Sequence, residues 1–339
     1  MKRKEEFEVK MDSVPNYIIG VDLGGTNIVS LLMSRDGKIL ARDTRRSLAK
    51  EGKERTISQI VASVREILRE GERLKVFSKS ILGVGIGSPG PLNTKEGVIH
   101  FAPNLPGWIE VPLVQILRDE LNLPIFLEND ANAAALGEWW LGAGKNVDNL
   151  VLLTLGTGIG GGIIIEGEVL HGAWDTAAEI GHMIIHEGGL TCGCGKQGCL
   201  EAYASATGVV KRTLAAIEKG EKTLLINLVE NRLEDITCEL IFKTAEKGDS
   251  LAKWIVEETA RYLGIGIASI VNIINPEMVI LSGGMIAAGD TLFKPVRKYA
   301  QENALAAAIK EVKIVPAALG GNAGAIGAAA TVLKKKGLL

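Results

Sequence analysis

Tyr17-Ile18-Ile19-Gly20-Val21-Asp22-Leu23-Gly24-Gly25-Thr26 is the stretch that decides the fold. Tyr17–Val21 reads as an apolar strand ending at Asp22, and Asp22–Thr26 as a tight glycine turn. Ile28–Met33 returns as a second strand, and Gly37 after Asp36 marks a turn into Ile39–Ala41, so the chain opens as a β-meander. The design recurs further on. Leu150–Leu155 is an apolar strand, Gly156-Thr157-Gly158-Ile159-Gly160-Gly161-Gly162 a Gly/Thr turn, and Ile163–Ile165 the return. Repetition of strand, Gly/Thr turn and strand reads as a weak internal duplication and predicts two similar α/β lobes.

Between and beyond these hairpins the apolar spacing places the other elements. Ile57, Ile60, Val61, Val64, Ile67 and Leu68 recur at helical spacing, and Ser80–Gly87 reads as a buried strand. Pro112 suits the first turn of a helix burying Leu113, Ile116, Leu117 and Leu121. The short strand Pro124–Leu127 leads into Asn129-Asp130 and the Ala-rich segment Ala131–Leu136. A helix around Trp254–Ile274 stops before Pro276, and strand Met278–Leu281 ends in Ser282-Gly283-Gly284. The last helix begins near Gly321–Gly324 and ends in a frayed basic tail, Lys334–Lys336.

Bulk properties exclude several classes. The 339 residues are 47% hydrophobic but only 4% aromatic, which calls for an aliphatic, Ala-rich core. A formal net charge of −2 offers no broad basic field, so nucleic acid is not an expected partner. Met1–Asn16 carries both signs of charge and no apolar core of a secretory signal. The most apolar stretches, Val151–Ile165 and Leu263–Leu281, are broken by Gly, Asn and Pro, and read as buried elements rather than membrane spans. The expected location is the cytoplasm.

The two Gly/Thr turns can hold phosphate. A phosphate needs several N–H donors aimed at one place, and glycine lets the backbone come close. Gly24, Gly25 and Thr26 in one turn, and Thr157 and Gly158 in the other, supply that chemistry, while Asp22 could hold magnesium. The bland alternative for either turn alone is an ordinary hairpin. Gly156, Gly158 and Gly161 do spell Gly-x-Gly-x-x-Gly, but the Ile-rich run and the turn at Glu166-Gly167-Glu168 that follow fit a hairpin better than a dinucleotide-binding strand-to-helix turn.

Asn129-Asp130 sits where a strand meets a helix. A carboxylate there stays ionised in the helix dipole, although from the pair alone a helix N-cap is the favoured reading. Glu179, His182 and Glu201 suit recognition of hydroxyls, and the bland alternative is solvated loop polarity. Cys192, Cys194 and Cys199 alternate with Gly193, Gly195 and Gly198, so a short loop could fold around one ion. Zinc wants four ligands, which leaves His182 or His186 as the fourth and makes the site structural. Cys238 is remote and reads as packing.

Together these residues resemble the ROK group of bacterial sugar kinases (repressor, open reading frame, kinase), within the actin/hexokinase-like ATPase superfamily. The resemblance runs from Asp22 to about Gly327 and is closest to the glucokinase members. It is carried by DLGGT at Asp22–Thr26, NLPGW from Asn104, ENDAN at Glu128–Asn132, LGTGIGGG at Leu155–Gly162, EIGH at Glu179–His182 and CGCGKQGCLE at Cys192–Glu201. It implies a two-lobed fold of duplicated ribonuclease-H-like lobes: residues 1–132, with 321–339 packing back, and a larger lobe, 133–320, carrying the zinc loop. It implies Asp130 as catalytic base, with Asn104, Asn129, Glu179, His182 and Glu201 on the sugar hydroxyls. It puts the two turns around the phosphates of Mg-ATP and Gly283-Gly284 near the adenosine. Structural zinc would be held by His182, Cys192, Cys194 and Cys199. The implied reaction is phosphorylation of a hexose 6-hydroxyl, with glucose favoured over mannose, fructose, N-acetylmannosamine or N-acetylglucosamine, in a homodimer or larger oligomer. A rival within the family is a sugar-responsive repressor, whose helix-turn-helix domain has little room before Tyr17; another is a non-catalytic sugar sensor.

Overall fold

The structure is a computed structural model that describes residues 16–102 and 104–339. Apart from Asn16, the N-terminal segment inspected above for a targeting signal lies outside the described residues.

The first half contains β1 (Tyr17–Leu23), β2 (Asn27–Ser34), β3 (Ile39–Arg46), α1 (Lys53–Arg73), β4 (Ile81–Ser88), β5 (Leu92–Asn93), β6 (Val98–Phe101), β7 (Ile109–Val111), α2 (Leu113–Leu121), β8 (Ile125–Asn129) and α3 (Asp130–Leu141). Its main sheet has the order β3-β2-β1-β4-β8. The meander pairs antiparallel, whereas β4 joins β1, and β8 joins β4, in parallel.

The second half contains β9 (Leu150–Leu155), β10 (Ile159–Ile165), β11 (Glu168–Val169), α4 (Leu200–Ala204), α5 (Ala206–Glu218), α6 (Leu225–Leu228), α7 (Cys238–Glu246), α8 (Ser250–Ile274), β12 (Met278–Ser282), α9 (Asp290–Asn303), α10 (Ala306–Ile309), β13 (Lys313–Pro316) and α11 (Ala323–Lys335). Its sheet order, β11-β10-β9-β12-β13, repeats the first: a meander, then two parallel strands on the side of its first strand. The duplication read from the two Gly/Thr turns is therefore a duplication of topology. The Gly-x-Gly-x-x-Gly run is a hairpin, with Leu155 paired to Ile159.

Ala and Gly dominate where the halves meet, because backbones touch there. A Cβ on Gly327 of α11 would lie 1.5 Å from the Ala133 carbonyl oxygen of α3, and one on Gly85 of β4 would lie 1.7 Å from that of Ala328. No side chain fits at either place, so α11 lies directly on the first sheet and against α3. Helix α3 also packs on β9 and β10 and runs unbroken through residue 132.

Several elements differ from their expected extents. Strand β3 continues to Arg46 because it is an edge strand with alternating exposure, and its charges hide it from a hydrophobic reading. The small β5-β6-β7 sheet was not anticipated; its strands are too short to show a period. Helix α8 starts earlier, at Ser250, where the Asp249 side chain caps it by accepting from Ala252 N. The basic tail is not frayed: Lys334 and Lys335 belong to α11, and Lys334 pairs with Glu168 at 2.7 Å and lies over the Trp139 ring. Among the described residues no helix is long and apolar enough to cross a membrane.

Candidate active site

Strand β8 delivers Asn129-Asp130 to the start of α3, and the structure divides their labour. Asn129 is the cap: its Oδ1 accepts from Ala131 N at 2.9 Å and Asn132 N at 3.2 Å. Asp130 is thereby freed for other work and makes one local bond, accepting from Ala131 N at 2.8 Å. It faces a cleft of about 420 Å³ between the halves. Asn104, Asn129, Asp130, Glu179 and His182 all line this cleft, so five residues spread over the chain meet there.

The two turns stand nearby at the carboxyl ends of strands, where open α/β sheets gather ligands. In the first, Gly24 N donates to Asn27 O at 2.9 Å, and Gly25 packs so closely on the Asn104 segment that a Cβ would lie 3.3 Å from its carbonyl oxygen. Thr26 completes the turn, with its carbonyl accepting from Ser47 N. In the second, Gly156 N donates to Gly158 O at 3.0 Å across Thr157. Gly283 follows β12 with φ 89°, packed against the Leu155 carbonyl, which brings Gly283-Gly284 beside this turn.

Glu201 is placed differently. It is not among the residues lining the cleft. Its Oε2 accepts from Ile159 N at 2.9 Å, and its Oε1 lies 3.4 Å from Cys192 Sγ, so it bridges the second turn and the cysteine loop.

Carboxylates dominate the electrostatics. Asp22, at the end of β1 and against Gly324 of α11, is pushed up to about 6, first by burial and then by the charge of Asp130. Asp130 is itself raised by burial, with Glu179 adding to the effect and the Ala131 N–H opposing it. A raised carboxylate is a better proton acceptor. Among the described residues, no lysine or arginine lines the cleft.

The Asp22 shift has a testable sign. A raised carboxylate contributes stability that is present below its unfolded value, near 3.8, and lost as pH rises through about 6. At pH 7.5 the ionised group costs on the order of 3 kcal/mol. Asp22→Asn should therefore raise the urea midpoint of the ligand-free protein at pH 7.5, and the gain should vanish toward pH 4. An equal gain at both pH values would sink the assignment.

The cysteine loop forms a compact donor set. His182 Nδ1 and the sulfurs of Cys192, Cys194 and Cys199 lie within 4.8 Å of one another. The separations Cys194–Cys199, 3.7 Å, and Cys192–His182, 3.8 Å, match the ~3.8 Å edge of a tetrahedron with ~2.3 Å zinc–sulfur bonds. Cys192 N donates to Lys196 O, and Ile184 bridges Cys199, so the loop is held by its backbone as well. The residues fit zinc. His186 is elsewhere: its Nδ1 lies 3.2 Å from the Tyr262 hydroxyl and its ring stacks on Tyr203, so His182 is the fourth ligand candidate. With Nδ1 turned to the sulfurs, His182 Nε2 faces Glu179 Oε2 at 4.0 Å. Cys238 begins α7, outside the cluster.

Phe101, Asn132 and Asp175 also line the cleft and were not singled out from the sequence. Asn132 carried a signal, as the last residue of the ENDAN run; it is buried and its Nδ2 donates to Glu128 Oε1 at 3.2 Å. Phe101 and Asp175 carried none, since an isolated aromatic ending a short strand or a lone carboxylate in a loop has no pattern.

The profile described as the ROK family matches residues 18–335. The chain is 39% identical over 320 residues to the glucokinase of Thermotoga maritima, covering 94% of this chain and 98% of that protein. It is 33% identical over 316 residues to a xylose repressor of Caldicellulosiruptor bescii, covering 93% of this chain and 78% of the repressor. Among solved structures, a ROK family glucokinase from Streptomyces griseus in complex with glucose and AMPPNP superposes with a TM-score of 0.76 at 34% identity, covering 93% of this chain and 98% of that one.

Proposed function

Because the chain belongs to the ROK family, we propose that it is an ATP-dependent hexose kinase acting on the 6-hydroxyl, with glucose the favoured substrate. The observation that carries this reading is a raised, helix-terminal carboxylate, Asp130, in one cleft with Asn104, Asn129, Glu179 and His182, beside two Gly/Thr turns. Similarity to a glucokinase along nearly the full length of both chains supports it.

In this mechanism Asn104, Asn129, Glu179 and His182 accept and donate hydrogen bonds to the sugar. Glu201 accepts from Ile159 N behind the second turn, so it would support the sugar site by holding that turn rather than from the cleft wall. Asp130 orients the 6-hydroxyl and takes its proton as the oxygen attacks the γ-phosphorus of ATP in line, and ADP leaves. Turn amides at Gly24, Gly25, Thr26, Thr157 and Gly158 meet the phosphates, with Gly283-Gly284 near the adenosine. Asp22 would meet the magnesium brought with ATP, which would supply charge neutralisation at the phosphates. Zinc is structural, because four protein ligands leave no position for water. We assign the protein to the cytoplasm as a homo-oligomer without nucleic acid, in line with its balanced charge.

The test is a coupled ADP-release assay with Mg-ATP and glucose, mannose, fructose, N-acetylglucosamine and N-acetylmannosamine. Turnover fastest with glucose is expected. A different preferred hexose corrects the substrate, and folded, zinc-loaded protein that turns over none of them overturns the kinase reading.

A further inference from the structure

One stretch of the second half reaches back to the first at two points. His171 Nε2 lies 2.9 Å from Glu128 Oε2. Asp175 accepts from the Thr94 amide at 2.9 Å and from its hydroxyl at 3.3 Å, in the turn between β5 and β6. The stretch is internally braced by Ala177 N donating to His171 O at 3.2 Å. Asp175 and Ala178 are held at φ 55° and 65°. Left-handed backbone is uncommon for a residue such as alanine and costs ~1–3 kcal/mol, so it persists where surrounding contacts over-determine it.

Glu128 is 1% exposed. Its second oxygen, Oε1, accepts from the Asn129 amide at 3.0 Å and from Asn132 Nδ2 at 3.2 Å. The carboxylate therefore ties together the last residue of β8 and the first turn of α3, the junction between which Asp130 stands. A buried carboxylate that loses its partner is left uncompensated and drives local rearrangement. That partner is His171. Its imidazole is held above the ordinary histidine range first by the Glu128 hydrogen bond; burial opposes this, Asp175 adds to it, and Lys335 acts against it. His171 does not line the cleft.

We propose that His171 is a positioning residue for phosphoryl transfer: by gripping Glu128 across the boundary between the halves, it fixes the β8–α3 junction and with it the carboxylate of Asp130. The inference rests on the kinase reading for its catalytic consequence, but its structural core does not depend on turnover.

The contact uses Nε2, which a glutamine amide can replace and an asparagine, one bond shorter, cannot. His171→Asn should lower kcat by ~10–100-fold, the cost of a displacement of order 1 Å at the reacting groups. The hexose KM should rise less than kcat falls, since Asn104, Glu179 and His182 are untouched and only Asn129 among the sugar residues belongs to the loosened junction. His171→Gln should restore most of the loss. Amide exchange at Asn129, whose N–H the Glu128 carboxylate holds, should be faster in H171N than in H171Q or wild type.

A merely structural role would lower the melting temperature of both variants while leaving kcat per folded molecule unchanged. Wild-type kcat in H171N, or equal impairment of the two variants, overturns the proposal. Should the wild type phosphorylate no hexose, the kinase reading fails by itself, and exchange at Asn129 decides the positioning role: faster in H171N supports it, equal in both variants refutes it.

Discussion

Asp130→Asn is expected to lower kcat by about 10²–10⁴-fold, the usual contribution of a positioned general base, while the hexose still binds. The substitution is nearly isosteric. Asn129, not Asp130, caps α3 through Ala131 and Asn132, so the helix keeps its start. The introduced amide can still accept from Ala131 N and orient the hydroxyl, but it cannot take the proton. Removing the charge also relieves Asp22, whose raised value owes part of its shift to Asp130, so the variant should be at least as stable as wild type at pH 7.5. In the wild type, burial and Glu179 hold Asp130 above its ordinary range, so kcat should fall on the acid side at a pH above the ordinary carboxylate range. Steady-state kinetics, calorimetric hexose titration and thermal melting separate these effects. A variant with near-normal kcat would remove Asp130 from the mechanism.

Stripping zinc should be the second large effect, with hexose affinity falling ~10–100-fold, the range found when the groups orienting a metal site's ligands are lost. Two routes lead from the cysteine loop to the cleft. Through His182, an ion on Nδ1 fixes the ring that presents Nε2 beside Glu179. Through Glu201, two residues past Cys199, the loop reaches Ile159 N at the start of β10, whose Gly160 and Gly161 line the cleft. Cys199 is fully buried, so Cys199→Ser removes a ligand that the solvent cannot replace. Zinc content, KM for the hexose and recovery on adding Zn²⁺ back are the measurements. Cys238→Ser serves as the control, because Cys238 lies outside the donor set and its loss should leave zinc stoichiometry unchanged. Full activity in zinc-free protein would show that the loop does not shape the sugar site.

Much of this architecture was legible before any coordinates. The paired hairpins were visible because an apolar strand that ends in clustered glycines has few other uses, and the two similar lobes read from them share one sheet order in the structure. The cysteine loop was visible because Cys-Gly alternation over eight residues is a local pattern. Less legible were elements whose chemistry is ordinary locally. Strand β3 is masked by Arg42, Asp43, Arg45 and Arg46 at a sheet edge. His171 and Asp175 matter only because Glu128 and Thr94 come to meet them from 43 and 81 residues away.

By itself the amino-acid sequence determined what backbone sterics and short-range pattern control: strand and helix periods, the glycine turns, and three thiols close enough for one ion. The resemblance of its motifs then named the residues of a sugar-kinase cleft. Only the tertiary structure decided which of Asn129 and Asp130 caps the helix, and that Glu201 sits behind the second turn rather than along the cleft wall. It also decided the raised proton affinity of Asp22 and Asp130. These outcomes depend on distances between groups far apart in the chain and on how much protein displaces water around each carboxylate. Sheet register and the Gly–Ala contact between α3 and α11 set both quantities, and a linear pattern encodes neither locally.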